Sequence, residues 1–259
     1  MKVQLAGVTA EIECKYEKNR LFFEGYQTEK EAEIVVAPGE DDLLKAAAKL
    51  RASDEADGIA PRNYPEYFLE NCAIHAILAE KLLPHNVLLM HGSALAFDGN
   101  AYIFTAPSGT GKSTHSRLWR EAFGDRVTMV NDDKPMLRFE SDLTEGGQDG
   151  PVRVNVCGTP WNGKHRLGGN FSAPLRAIAF LSRSSENSVT PVTAADAFQR
   201  IMKQIYLPES APSMRLVLEM AKKLVNSVKF YDLKCNMEPD APIVSMNALT
   251  RDASTAIQG

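Results

Sequence analysis

The chain has 259 residues, 44 % of them apolar, which suffices for one large domain or for a main domain with a small annex. Its 33 acidic and 29 basic residues give a net charge of −4, and broad nucleic-acid binding needs a basic surface instead. The N-terminus lacks the apolar h-region of a signal peptide, and no run of 18 apolar residues predicts a membrane span, so we expect a cytoplasmic chain. The four cysteines form no CxxC pair, and we expect them to be reduced.

Residues 1–62 are predicted to form a small β-rich annex. Apolar residues alternate with polar ones over 8–16, and again around Phe22 and Ile34, which is typical of strands. Residues 41–52 favour a short helix, because acidic side chains stand at its start. A polar stretch then leads out of the annex.

Residues 63–259 are assigned to a second domain, which begins with a largely buried helix over about 64–83 that Pro84 stops. Two apolar runs then flank the sequence Asp-Gly-Asn at 98–100, which is a strong hairpin signal. The strand that leads to residue 106 is therefore expected to pair antiparallel with the strand before it.

The later elements are predicted from apolar periodicity and capping residues. A helix follows the segment at 106–114 and ends at Gly124. We expect strands at 127–133, 152–157, 175–182 and 229–235, helices at 193–206 and 213–225 with caps at Thr193 and Ser213, and a frayed tail from about 249. One right-handed crossover should bring the strand at 127–133 alongside the strand before the loop. Together these elements predict an α/β fold with a mixed sheet.

The segment IFTAPSGTGKST, residues 103–114, ends like a phosphate-binding (Walker A) loop. In such a loop consecutive backbone amides and the positive end of the next helix face the phosphates. Lys112 reaches the β- and γ-phosphates, and Ser113 offers its hydroxyl to Mg²⁺. The predicted nucleotide contacts in this loop are Pro107, Ser108, Gly109, Thr110, Gly111, Lys112, Ser113 and Thr114.

The first glycine of the usual pattern is replaced by Ala106. That position needs only a small residue, and an ordinary φ would accommodate alanine. The alternative hypothesis is a structural glycine turn that happens to end in Gly-Lys-Ser.

Two acids, Asp132 and Asp133, end the predicted strand at 127–133. We expect both carboxylates beside Ser113, where one holds Mg²⁺, directly or through water, and the other accepts a proton from an attacking hydroxyl. The alternative is a turn of solvated acids. His91 closes an earlier strand and can orient the acceptor hydroxyl or shuttle its proton, although a lone histidine there is more often structural.

The segment GTPWNGKHRLGG carries cations on a glycine-rich loop. Lys164 and Arg166 are predicted to neutralise charge as phosphate moves. The alternative is a solvated basic turn with Trp161 as its anchor.

The order of these motifs resembles the catalytic domain of HPr kinase/phosphorylase and, more distantly, PEP carboxykinases. The resemblance covers roughly residues 86–181 and is carried by His91-Gly92, the hairpin, the SGTGKS sequence at 108–113 and the pair Asp132-Asp133. It implies a PEP-carboxykinase/HPr-kinase-like P-loop fold, a transfer to a serine hydroxyl that depends on ATP and Mg²⁺, and a homo-oligomer. Thr114 departs from the glutamate common in HPr kinases and matches PEP carboxykinases. The segment after the acids and the N-terminal annex also differ from HPr kinases, and together these departures put the protein HPr in doubt as the substrate.

Two functions follow as the leading hypotheses, ahead of a simple NTP hydrolase or a carboxykinase-like lyase. The first is a kinase that transfers the γ-phosphate of ATP to a hydroxyl of a small protein, a peptide or a small molecule, with catalytic roles for Asp132, Asp133, His91 and Lys112. The second is a nucleotide-binding regulatory module without transfer activity. ATP is preferred to GTP because no NKxD motif is visible, and we expect neither a nucleic acid nor a membrane as partner.

Overall fold

The computed structural model describes residues 1–60, 62–143 and 149–251, with the side chains of 141–151 outside the description. The chain forms two compact units that divide between residues 85 and 86. Within the described ranges, no helix is both long enough and apolar enough to cross a membrane. The four cysteines are free, and most of the predicted tail beyond residue 249 lies outside the described residues.

The first unit combines a three-stranded sheet with three helices. Its elements are β1 (Lys2–Leu5), β2 (Val8–Ile12), α1 (Glu17–Phe22), β3 (Ile34–Val36), α2 (Glu40–Ala56) and α3 (Glu66–Lys81). β2 lies in the middle of the sheet, antiparallel to β1 and parallel to β3. The predicted helix at 41–52 is thus confirmed and is longer than expected.

The first unit extends beyond the predicted boundary at residue 62, because α3 belongs to it. Glu70 of α3 is buried and accepts hydrogen bonds from the backbone amides of Lys15 (2.7 Å) and Tyr16 (3.3 Å) and from Asn19 Nδ2 (2.6 Å). These contacts fix the chain at the start of α1. The alternation around Phe22 predicted a strand at this position, and the structure has a helix instead. A long-range carboxylate overrides the local pattern there.

The second unit is built on a mixed, curled sheet. Its elements are β4 (Val87–Leu89), β5 (Ser93–Phe97), β6 (Asn100–Thr105), α4 (Lys112–Phe123), β7 (Val127–Asn131), β8 (Met136–Leu143), β9 (Asp149–Cys157), β10 (Ser172–Arg183), β11 (Ser188–Pro191), α5 (Ala194–Ile201), α6 (Ala211–Ser227), β12 (Lys229–Cys235) and α7 (Ala241–Leu249). β6, β10 and β12 run parallel. β4, β8 and β9 are antiparallel neighbours in that order, and β9 pairs antiparallel with the start of β10. The predicted α/β class with a mixed sheet is confirmed.

The predicted hairpin is present between β5 and β6. Asp98 and Gly99 at its turn have φ values of 48° and 79°, as the positive-φ turns of two-residue hairpins require. The expectation that β7 lies alongside β6 is wrong, since β5 pairs antiparallel with both strands and separates them. β7 therefore runs parallel to β6 but one strand farther along the sheet.

Helix α4 is fixed on the sheet by a buried aromatic cluster. The fully buried ring of Trp119 lies 5.5 Å from Phe97 and 5.7 Å from Phe104, centroid to centroid. Its indole Nε1 donates to Ser245 Oγ of α7 at 2.8 Å and contacts His115 Nε2 at 3.2 Å. This packing fixes the start of α4 where the chain leaves β6, and Gly124 ends the helix as predicted.

Two helix caps in the second unit test the sequence signals directly. Thr193 Oγ1 accepts from the amide of Asp196 at 3.3 Å, which confirms the predicted cap of α5. The predicted cap at Ser213 is wrong by one turn, because Ser210 Oγ accepts from the amide of Ser213 at 3.2 Å. Strands β8 and β11 and helix α7 were not predicted.

The hairpin turn yields a stability prediction. Gly99→Ala places a side chain at a φ of 79°, a conformation that L residues disfavour, so the free energy of unfolding should fall by about 1 kcal/mol. Urea unfolding measures it. Gly25→Ala is the matched control, because its φ lies outside the left-handed region and an added Cβ meets nothing within 4 Å. Equal losses for both variants would contradict a strained turn at residue 99.

Candidate phosphate-binding site

The glycine loop, residues 106–111, joins the end of β6 to the start of α4. Ala106 is buried and its φ lies outside the left-handed region, as expected for a residue that replaces glycine. A tight turn follows, in which Pro107 O accepts from Thr110 Oγ1 (2.8 Å) and, at 3.4 Å, from the Thr110 amide. Gly109 has a φ of 76° at the third position of this turn, where type II turns need glycine.

Helix α4 begins directly after this turn. Gly111, with a φ of 124°, precedes its first residue, Lys112. The first amides of a helix have no partner inside it and lie at the positive end of its dipole, so this position favours an anion. Ser113 is exposed in the first turn of the helix, and Thr114 is half-buried.

Lys112 lies across the glycine loop. Its Nζ donates to Ala106 O at 2.9 Å and to Pro107 O at 3.2 Å. Burial lowers the pKa of Lys112 below its ordinary value, Asp133 raises it, and Lys134 lowers it further. The charges of Asp133 and Lys134 thus act on the Lys112 ammonium through space, which puts one of the two predicted acids, Asp133, near the loop lysine.

Asn131 shapes the turn that carries the two acids. Its side chain is fully buried, and its Oδ1 accepts from the amides of Asp133 (2.8 Å) and Lys134 (2.7 Å). Its Nδ2 donates to Thr159 O at 3.1 Å and to Thr159 Oγ1 at 2.9 Å. Such a side-chain turn ends strand β7 and fixes the backbone of both acids.

The two acids are not equivalent. Asp132 is buried, and its Oδ1 accepts from the amide of Gly163 at 2.5 Å. The side chain of Asp133 is 37 % exposed and lies 3.0 Å from Lys134 Nζ and 3.5 Å from His91 Nε2. Asp133 is therefore the acid that faces the cations of the site, whereas Asp132 holds the neighbouring loop.

His91 lies in the short connection between β4 and β5. Its amide donates to Gln204 O at 2.6 Å, and its carbonyl accepts from Thr105 Oγ1 at 2.8 Å. Gly92 follows it, donates to Asp133 O at 3.0 Å, and passes so close to β6 that a Cβ would lie 2.8 Å from Ile103 Cγ2. His91 thus presents its imidazole to the site, and residue 92 must be glycine because β6 packs too closely for a side chain.

The imidazole of His91 is neutral at pH 7. Burial lowers its pKa from 6.5 to about 4, the charges of Lys134 and Lys112 lower it too, and Asp133 opposes them. A third positive charge beside these two lysines is unfavourable in a partly buried place. Neutral His91 can hold a hydrogen bond to a hydroxyl or to the Asp133 carboxylate.

The loop at 158–170 owes its glycines to packing. A Cβ on Gly163 would meet the Asp132 carboxylate, and one on Gly168 would meet Val130 O. The predicted cations Lys164 and Arg166 are exposed, and no hydrogen bond or ion pair of the described residues joins either of them to the glycine loop. The structure therefore brings Lys112, Asp133 and His91 together but leaves these two cations apart.

Sequence reasoning missed three residues of this site. Asn131 and Lys134 flank the predicted acids, and their contacts follow from the turn rather than from a motif. Arg183 ends β10 and donates to the carbonyls of Gly109 (Nη2, 2.6 Å) and Thr110 (Nε, 3.1 Å). Arg183 could have been found from the sequence, because it is a cation at the carboxyl end of a predicted strand and the glycine loop also follows the carboxyl end of a strand.

The acids do not form a metal cage by themselves. Among the side chains that the structure describes, no group of three or more His, Cys, Asp or Glu residues is placed to hold a metal ion. A magnesium ion here would depend on the Ser113 hydroxyl and on phosphate oxygens for part of its coordination.

Comparison with known proteins gives a distant structural likeness. No family model matches the chain. No curated protein matches it either. Among solved structures, the HPr(Ser) kinase/phosphatase from Coxiella burnetii is similar with a TM-score of 0.33 and 9 % sequence identity, over 62 % of this chain and 89 % of that chain. A likeness at that level supports no functional conclusion, so function must come from the geometry of the site.

The charges around His91 predict its titration. Lys134→Met should raise the pKa of His91, because a nearby positive charge is removed, and Asp133→Asn should lower it.

The pKa of His91 also predicts how stability depends on pH. Because this pKa lies below 6.5 in the folded protein, neutral His91 stabilises the fold above pH 6.5, and this contribution is lost as the pH falls towards 4.

NMR titration of the imidazole protons measures these shifts. Lys164→Met is the control, since Lys164 is exposed on the neighbouring loop, and the His91 pKa should not change in that variant. An unperturbed pKa in the wild type, or shifts of the opposite sign, would contradict the described cluster.

Proposed function

We propose that the chain is a kinase that uses ATP and Mg²⁺ to transfer the γ-phosphate to a hydroxyl. The observation that carries this proposal is the cluster of Asp133, neutral His91 and Lys112 at the start of α4. A carboxylate base and a phosphate-loop lysine serve such a transfer, and a neutral imidazole can orient the acceptor hydroxyl. The resemblance in motif order to HPr kinases agrees with it.

Each side chain has one task in the proposed reaction. Lys112 and the amides at the start of α4 bind the β- and γ-phosphates and draw charge from the leaving group. The acceptor oxygen attacks the γ-phosphorus, the bond from that phosphorus to the β–γ bridging oxygen breaks, and ADP leaves with the electron pair. The acceptor proton passes to the Asp133 carboxylate, and His91 orients the hydroxyl.

Ser113 and Asp132 are the candidate protein ligands of Mg²⁺. Ser113 presents an exposed hydroxyl, and the hydrogen bond from Gly163 uses only part of the capacity of the Asp132 carboxylate, which has about four lone-pair sites. Mg²⁺ commonly takes one or two protein carboxylates together with substrate phosphates and water. Ser113 and Asp132 would hold the ion, Asp132 directly or through water, and the ion would neutralise phosphate charge.

A nucleotide-binding regulatory module is the second candidate. It is favoured by the ion pair in which Lys134 Nζ lies 3.0 Å from Asp133 Oδ1, because this contact occupies the carboxylate that would accept the proton in a kinase. In a regulator this pair would respond to bound nucleotide, and no acceptor would reach Asp133.

Phosphoryl transfer is tested with labelled ATP, Mg²⁺ and a heat-treated cell extract, in which endogenous kinases are inactive. The wild type should label an acceptor, and Asp133→Asn should reduce the initial rate by about 10²–10⁴-fold, the usual contribution of a general base. Asp125→Asn is the control, since Asp125 is exposed just beyond α4.

Binding of ATP, measured in the same preparations, separates the two candidates. A wild type that binds ATP and labels nothing would favour the regulatory module. A wild type that does not bind ATP at all would overturn both.

A further inference from the structure

Arg183 connects the sheet to the backbone of the glycine loop. β10 runs parallel to β6, with Phe180 opposite Thr105, so three residues later Arg183 stands beside the loop that follows Thr105. Its guanidinium is exposed and donates to two consecutive carbonyls, those of Gly109 at 2.6 Å and Thr110 at 3.1 Å. An arginine fork that bonds two adjacent acceptors fixes their relative orientation as well as their position.

These two hydrogen bonds determine where two loop amides point. In a trans peptide the N–H is directed opposite to the C=O of the same unit. The Gly109 carbonyl shares its peptide unit with the Thr110 amide, and the Thr110 carbonyl shares its unit with the Gly111 amide. Because Arg183 holds both carbonyls on its own side, both amides face the opposite side of the loop.

The loop needs such a constraint because its backbone is permissive. Gly109 and Gly111 flank Thr110, and glycine exchanges readily between positive and negative φ. The turn contact of the Thr110 amide with Pro107 O is 3.4 Å, longer than the usual 2.7–3.2 Å of such bonds, so it restrains that peptide unit weakly.

We propose that Arg183 is a positioning residue of the phosphate site, which orients the amides of Thr110 and Gly111 for bound phosphate before the nucleotide arrives. The proposal rests on the proposed function, because it assumes that phosphates bind at this loop. Preformed donors cost no reorganisation on binding, so Arg183 increases affinity for the phosphate chain without touching it.

The experiment compares Arg183→Met with Arg176→Met. Arg176 lies on the same strand, is also exposed, and donates from Nε to Asn100 Oδ1 at 2.9 Å, away from the loop. Two quantities are measured for each variant: hydrogen exchange of the Thr110 and Gly111 amides without ligand, and affinity for Mg-ATP and for inorganic triphosphate.

For Arg183→Met we expect faster exchange at both amides and about tenfold weaker binding of both probes, the loss expected for hydrogen bonds from a charged donor. Arg183→Lys should recover part of the affinity, since its ammonium can still donate to one carbonyl. Arg176→Met should match the wild type in both measurements. An unchanged unfolding midpoint in Arg183→Met would exclude a general loss of structure.

The outcomes separate this inference from the proposed function. Weaker binding with unchanged exchange in the ligand-free protein would mean direct contact of Arg183 with phosphate, and would overturn the positioning role. Unchanged affinity in Arg183→Met, with a wild type that binds both probes, would overturn the inference alone. A wild type that binds neither probe would overturn the proposed function and the inference with it.

Discussion

The buried side chain of Asn131 is the contact on which the geometry of the candidate site depends. Its Oδ1 accepts from two successive amides, and its Nδ2 donates to Thr159, whose hydroxyl in turn donates to Lys134 O at 2.8 Å. This closed set of bonds directs neighbouring acids to different places. The Asp132 side chain is buried and accepts from the Gly163 amide, whereas the Asp133 side chain is partly exposed and pairs with Lys134.

The same turn determines the charge of the site. Lys134 pairs with the Asp133 carboxylate, and His91 stays neutral because burial disfavours its charged form and the charges of Lys134 and Lys112 add to that effect. Lys112 offers a positive charge to an anion at the loop even though the chain as a whole carries a net charge of −4. The start of α4 adds its dipole at the same position.

The glycine loop completes the site from the other side. Its turn is closed at Pro107 O, its lysine lies over its own carbonyls, and Arg183 holds the outer face of its backbone. The fully buried Trp119 holds α4 against the sheet and so fixes the loop at its far end. Local turn chemistry and long-range packing therefore support one arrangement.

Features encoded by adjacent residues could be predicted from the sequence. The hairpin at Asp98-Gly99 requires positive φ values that this pair supplies, and Gly109 marks its turn for the same reason. Helix α7 also carried a usable signal, since Pro242 stands in its first turn. Asp133 lies near Lys112, as one part of the site hypothesis expected, but β7 does not run directly alongside β6, which was the arrangement that the hypothesis assumed.

Features that depend on distant residues could not be predicted in this way. Glu70 reaches the amides of Lys15 and Tyr16, more than fifty positions away in sequence, and so makes α1 a helix and moves the boundary of the first unit. The separation of β7 from β6 arises because β7 pairs with the free edge of β5, a choice that no local sequence signal indicates. The difference between Asp132 and Asp133 depends on Gly163, which lies 31 residues downstream of Asp132 and donates to its carboxylate.

The central claim is that Lys112, the amides at the start of α4 and the Asp133 carboxylate converge on one bound triphosphate. A crystal structure with a non-hydrolysable ATP analogue and Mg²⁺ tests it most directly. The account predicts the β- and γ-phosphates on the amides of residues 109–114, with Asp133 beside the γ-phosphate. A nucleotide bound elsewhere, or a γ-phosphate on the glycine loop that faces away from Asp133, would contradict it.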